Sequence, residues 1–274
     1  MNNAVNGNQI IMLGTGNAIA LKCYNTCFVL KTAETKMLVD AGGGNGVLMQ
    51  LEKAGVDLTE INDMFITHAH TDHILGAVWV VRMVINRMKS NAYDGIFTVY
   101  GHDKVLTVLE WICNMTLSKK DRSFIGKTVL FREVKDAESF RVGNIDMQCF
   151  DILSTKEKQF GFRAVLPGGK TLVCLGDEPY NSSNRRYAEN ADWLLCEAFC
   201  LYRDRDIFKP YEKHHSTALE AGALAEELKV KNLVLYHTED KNLDIRKTAY
   251  ASEAAQKFSG HIFVPDDLDI IDVI

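Results

Sequence analysis

Apolar residues follow two rhythms along this chain. Short runs rich in β-branched and aromatic residues, bounded by Gly, Asn or Asp, predict strands at Gln9–Leu13, Cys27–Lys31, Lys36–Asp40 and Asp63–Thr67. The second and third close a hairpin across Thr32–Thr35. Longer stretches with apolar positions three and four apart predict helices at Val47–Ala54, Ala77–Lys89 and Lys104–Met115. A β-rich middle follows, with strands expected at Thr128–Arg132, Asp146–Leu153, Gly161–Leu166 and Thr171–Leu175. The last third alternates strand Trp193–Glu197, helix Ala218–Leu228, strand Asn232–Tyr236 and helix Ile245–Phe258. Thr217 and Glu220 have capping-box spacing, so the first of these helices begins just after His214-His215-Ser216. No repeat, low-complexity stretch or Pro/Ser-rich linker interrupts the pattern. Two β-rich halves, each carrying helices, predict one layered α/β domain over residues 1–274.

Composition narrows the function more than the fold. A 274-residue chain with 47% hydrophobic residues can bury a large core. Its net charge of −5 lacks the basic excess that drives non-specific nucleic-acid binding. Met1–Gln9 is polar, with no apolar core of a signal peptide, and no run approaches the ~18 apolar residues of a membrane span. The seven cysteines are odd in number and scattered through apolar stretches, which fits reduced, buried thiols. A cytoplasmic location is the expectation.

The chemistry concentrates in Thr67-His68-Ala69-His70-Thr71-Asp72-His73-Ile74-Leu75-Gly76. A buried strand runs straight into this segment and holds its start rigid. His68 and His70 alternate and can face one point, while Asp72 and His73 open the next helix and can reach a second point nearby. Neutral imidazole and carboxylate are ligands for Zn²⁺, Mn²⁺ or Fe ions. One or two ions are expected.

This segment resembles the HxHxDH signature of the metallo-β-lactamase superfamily, and the chain is most similar to its ribonuclease Z and small-phosphodiesterase branch. Leu13-Gly14-Thr15-Gly16 and Leu38-Val39-Asp40-Ala41-Gly42 resemble that branch's opening motifs. Leu175-Gly176-Asp177 resembles the motif whose aspartate bridges two metals, and Leu233-Val234-Leu235-Tyr236-His237 the strand ending in the last histidine ligand. His215-Ser216-Thr217 resembles a His-Ser-Thr segment whose histidine assists phosphodiester cleavage. The likeness runs in order from residue 9 to about 240 and implies an αββα sandwich. It implies metal ligation by His68, His70, Asp72, His73, Asp177 and His237, with Asp72 and His215 acting on the substrate. Asp40 and Glu197 are expected to support the site rather than ligate. His102 and His261 read as solvent-facing, and Lys119–Arg122 and Arg185-Arg186 as solvated surface.

Two departures shape the functional expectation. The family places another histidine before a Gly-Tyr/Phe-Arg segment; alignment to Gly161-Phe162-Arg163 puts Leu153 at that position. The His68/His70 side would then be short of a ligand. Only Ala164–Leu175 lies where ribonuclease Z carries a protruding tRNA-gripping arm. The expected activity is therefore metal-dependent hydrolysis of a small phosphodiester, with nucleic acid and membrane disfavoured as partners and a homodimer left open. The alternatives are an acyl-type hydrolase acting on a thioester, lactone or β-lactam, a ribonuclease Z-like tRNA-processing enzyme, or a catalytically weak metal-binding homologue.

Overall fold

A computed structural model describes residues 7–274. The first sheet contains β1 (Asn8–Gly14), β2 (Cys27–Lys31), β3 (Lys36–Val39), β4 (Asp63–Phe65), β5 (Phe97–Gly101) and β6 (Val129–Glu133). The second contains β7 (Ser139–Val142), β8 (Ile145–Asp151), β9 (Phe160–Val165), β10 (Thr171–Cys174), β11 (Trp193–Glu197), β12 (Asn232–Tyr236) and β13 (His261–Phe263). β14 (Ile270–Val273) returns to pair with β1 at the edge of the first sheet. The orders are β14-β1-β2-β3-β4-β5-β6 and β13-β12-β11-β10-β9-β8-β7. Each sheet is antiparallel where hairpins join its strands and parallel from β3 to β6 and from β10 to β13.

Strand alternation sorts side chains into layers. Ile10 and Met12 of β1 face the core between the sheets, while Ile11 and Leu13 face helices Gly46–Lys53, Thr71–Lys89 and Asp103–Thr116. Helices Ala218–Glu227 and Leu243–Ala254 cover the far side of the second sheet through Ala221, Ala225, Tyr250 and Ala254. Phe65 and Phe162 meet edge to face between the sheets, with ring centroids 5.3 Å apart. The result is the expected helix–sheet–sheet–helix sandwich.

The long helix begins at Thr71, with Asp72 and His73 in its first turn as expected, and it runs unbroken into the apolar stretch expected as a helix from Ala77. β5, β7, β13 and β14 were not anticipated. His102 corrects a second expectation. It is fully buried, at the end of β5 and against Phe160 with ring centroids 5.1 Å apart, rather than facing solvent. Burial presses its pKa down.

Candidate metal centre

The site forms at the carboxyl ends of strands from both sheets, where main chains turn away and side chains can converge. Asp40 follows β3 in a left-handed backbone conformation (φ 54°). Its Oδ1 accepts the Thr67 N–H at 2.8 Å; its Oδ2 accepts the Thr67 hydroxyl at 2.8 Å and faces His73 Nδ1 at 2.8 Å. One carboxylate thus ties the loop after β4 to the first turn of helix Thr71–Lys89.

These contacts assign the histidine tautomers. The Thr67 hydroxyl proton goes to Asp40, so the 2.9 Å contact to His68 Nδ1 has the imidazole donating. His73 Nδ1 donates to Asp40 in the same way. Thr26 gives its proton to the Gly16 carbonyl at 3.0 Å, so His237 Nδ1, 3.3 Å away, donates to the Thr26 oxygen. Each ring therefore presents Nε2 inward. The three Nε2 atoms of His68, His73 and His237 lie 3.5, 3.5 and 3.6 Å from Asp177 Oδ2. His73 Nε2 also lies 3.3 Å from Asp72 Oδ2.

Two buried groups have the composition and spacing to hold a cation: His68, His73 and Asp177, and Asp72, His73 and His237. Asp72 Oδ2, His73 Nε2 and Asp177 Oδ1 are buried without a hydrogen-bond partner, as donor atoms awaiting an ion would be. The residues therefore fit the metal that the resemblance implies. His70 is half-buried, and its Nδ1 sits 2.8 Å from His68 Nε2, outside both groups.

Charge is concentrated here. Burial opposes ionisation of Asp177 and Asp72, yet neighbouring imidazoles hold both carboxyls below their usual range. Burial likewise opposes protonation of His73, but Asp72 and Asp40 lift its pKa well above the imidazole range. At His237 burial dominates, and the pKa falls to about 3. Burial and His68 lower that of His70.

His215 stands beside this cluster, its ring centroid 5.2 Å from that of His237. It stacks on Phe199 at 4.7 Å, nearly parallel, and its Nδ1 lies 3.6 Å from the buried Glu197 Oε2. Glu197 Oε1 accepts the Ser216 N–H at 2.5 Å, so the carboxylate also anchors the His215 loop. Leu153 is 49% exposed with φ 60° and borders a cavity of about 290 Å³ with Glu178, Tyr180, His214 and His215. Among the described residues, no potential ligand from 151–159 joins either metal-competent group. Gln159, Glu178 and Tyr236 are also buried around Asp177; Glu178 and Tyr236 adjoin proposed ligands in the sequence, whereas Gln159 carries no such local signal.

The two packed sheets and their covering helices define a protein of the metallo-β-lactamase fold. It aligns with the metallo-β-lactamase fold protein YhfI from Bacillus subtilis at TM-score 0.75 and 19% identity, covering 97% of this chain and 99% of that one. The short form of human tRNase Z gives 0.75 and 20%, covering 97% and 99%. A diphosphatase from the PhnP family gives 0.74 and 16%, covering 97% and 98%. Ribonuclease Z of Thermococcus sibiricus is 24% identical over 96% of this chain and 95% of its own length. Residues 8–259 match the family described as anti-Pycsar protein Apyc1, and the chain belongs to that family. The ribonuclease Z relatives lend no support to the expectation that nucleic acid is disfavoured. No described helix is long and apolar enough to cross a membrane.

Proposed function

We propose that this chain is a metal-dependent phosphodiesterase acting on a small phosphodiester. The observation that carries the reading is the convergence of three imidazole Nε2 atoms on Asp177, with His215 poised one ring away. Asp72, His73, Asp177 and His237 would hold one divalent ion, and His68, His70 and Asp177 a second, less completely ligated one. Ions held there supply Lewis-acid activation of water and neutralise phosphate oxygens. Asp72 takes the proton of the attacking water as its oxygen bonds to phosphorus. The bond to the leaving oxygen breaks, and His215 donates the proton that oxygen requires. Glu197 and the Phe199 ring hold the imidazole in place for that transfer.

The compact turn between β9 and β10, residues 166–170, supports a small substrate, since nothing there reaches out to grip a large one. The names of the curated relatives favour RNA as a second reading. The test is metal content with turnover of an aryl phosphodiester, a precursor tRNA and a thioester. The reading expects bound divalent metal and cleavage of the aryl phosphodiester, with His215→Ala keeping its metal while kcat falls about 10²-fold. Cleavage of tRNA or thioester alone would overturn the substrate assignment. Loss of metal from His215→Ala would overturn the assignment of His215 as the acid.

A further inference from the structure

Asp177 Oδ2 faces three imidazoles, yet the residue sits on a turn, and among the described residues its carboxylate meets no other side-chain partner. What aims it is the peptide joining Gly176 to Asp177, which is gripped at both ends. The Tyr236 hydroxyl donates to the Gly176 carbonyl oxygen at 2.5 Å. At the other end of the same peptide, the Asp177 N–H donates to Gln159 Oε1 at 3.4 Å. Gly176 has φ 82°, and a Cβ there would lie 3.0 Å from Gln159 Oε1, so the turn has little freedom to re-form around a side chain.

Both gripping residues are fully enclosed and adjoin other parts of the centre. Tyr236 is the last residue of β12 and directly precedes His237. Its ring lies in the core between the sheets, and its hydroxyl crosses the intervening β11 to reach the end of β10. Gln159 pairs through its main chain with His68, and its carbonyl accepts the Ile152 N–H at 3.1 Å. One peptide therefore connects the segments carrying His68, Asp177 and His237.

We infer that Tyr236 and Gln159 are positioning residues that clamp the Gly176–Asp177 peptide and so set Asp177 between the metal-holding imidazoles. The inference rests on the metal reading above. Rotation of this peptide would swing the Asp177 Cα–Cβ bond away from the three Nε2 atoms while leaving strand pairing intact. Supporting groups of this kind tune metal affinity through the ligand they orient.

Tyr236→Phe keeps the ring and removes one grip, and Gln159→Met keeps the bulk and removes the other. Chelator-stripped full-length protein would be titrated with cobalt(II), following absorption and stoichiometry, beside a Phe140→Leu control that loosens the same core at β7, the far edge of the second sheet. Each clamp variant should keep the wild-type circular dichroism, bind cobalt(II) about 10- to 100-fold more weakly, and show altered ligand-field bands. Phe140→Leu should lose thermal stability without either change. Clamp variants with wild-type affinity and spectrum would overturn the inference and leave the metal centre standing. A wild-type protein that takes up no cobalt would instead overturn the metal reading on which it rests. Should Tyr236→Phe fail to fold, Gln159→Met decides by the same readout.

Discussion

Gly76 has no room for a methyl group. A Cβ there would lie 1.8 Å from the Ala41 carbonyl oxygen and 2.6 Å from its carbon. The obstacle is main chain, and it belongs to the turn that carries Asp40. Gly76→Ala should therefore push helix Thr71–Lys89 off that turn, costing about 1–3 kcal/mol and weakening metal binding through Asp40 and His73. Thermal melting and elemental analysis test this; an alanine variant matching wild type in both would show that the turn yields freely. Leu153 differs, being half exposed on a cavity rim, and replacement should change stability by no more than about 0.5 kcal/mol. If it occupies the position where related chains carry a histidine, Leu153→His should raise metal stoichiometry toward two. A stable variant with unchanged metal content would place that side chain in the cavity beside His215 instead.

Helix Ala218–Glu227 shows how a local signal can place a functional side chain. The Thr217 hydroxyl accepts the Glu220 N–H at 3.4 Å, and the Glu220 carboxylate accepts the Thr217 N–H at 2.9 Å, as their spacing predicts. This box fixes the N-cap, Thr217, two residues beyond His215. Thr217→Ala should cost about 1 kcal/mol of stability. It should also lower kcat by less than His215→Ala does, because Glu197 still holds the Ser216 N–H. An equal loss of kcat in the two variants would mean that the cap alone positions the histidine. Elsewhere the local code was thinner. β11 and β12 are continuous apolar runs buried on both faces and were legible at their observed ends. β14 is only four residues, and it exists through pairing with β1 from the opposite end of the chain. β7 and β13 are similarly short.

Across the whole molecule, the centre joins two sheets whose strands are far apart in sequence. An ion held by His68, Asp177 and His237 would join segments after β4, β10 and β12 and would have no comparable site in the unfolded chain. Metal at a hundredfold excess over its Kd should then stabilise the fold by about 2.7 kcal/mol. Chelation should lower Tm, and added Zn²⁺ or Mn²⁺ should restore it. A metal-loaded protein whose Tm is indifferent to complete chelation would contradict this placement. Without an ion, the Asp40, Asp72 and Asp177 carboxylates lie in one buried region facing imidazoles.

The sequence by itself determined the layered α/β class and most element centres, and it singled out most of the side chains that gather in the candidate site. Those properties are local: strand period, helix period, capping chemistry, and imidazoles crowded into a few positions. Tertiary structure alone decided that His68, His73 and His237 turn Nε2 toward one Asp177 oxygen. That depends on Asp40 and the Thr26 hydroxyl, brought in from distant parts of the chain, and on the Thr67 hydroxyl beside His68. It also buried His102, because β5 lies inside the parallel part of its sheet, and it drew Tyr236 and Gln159 onto a single peptide. No spacing along the chain encodes such meetings, since they depend on which strand ends two packed sheets bring to the same edge.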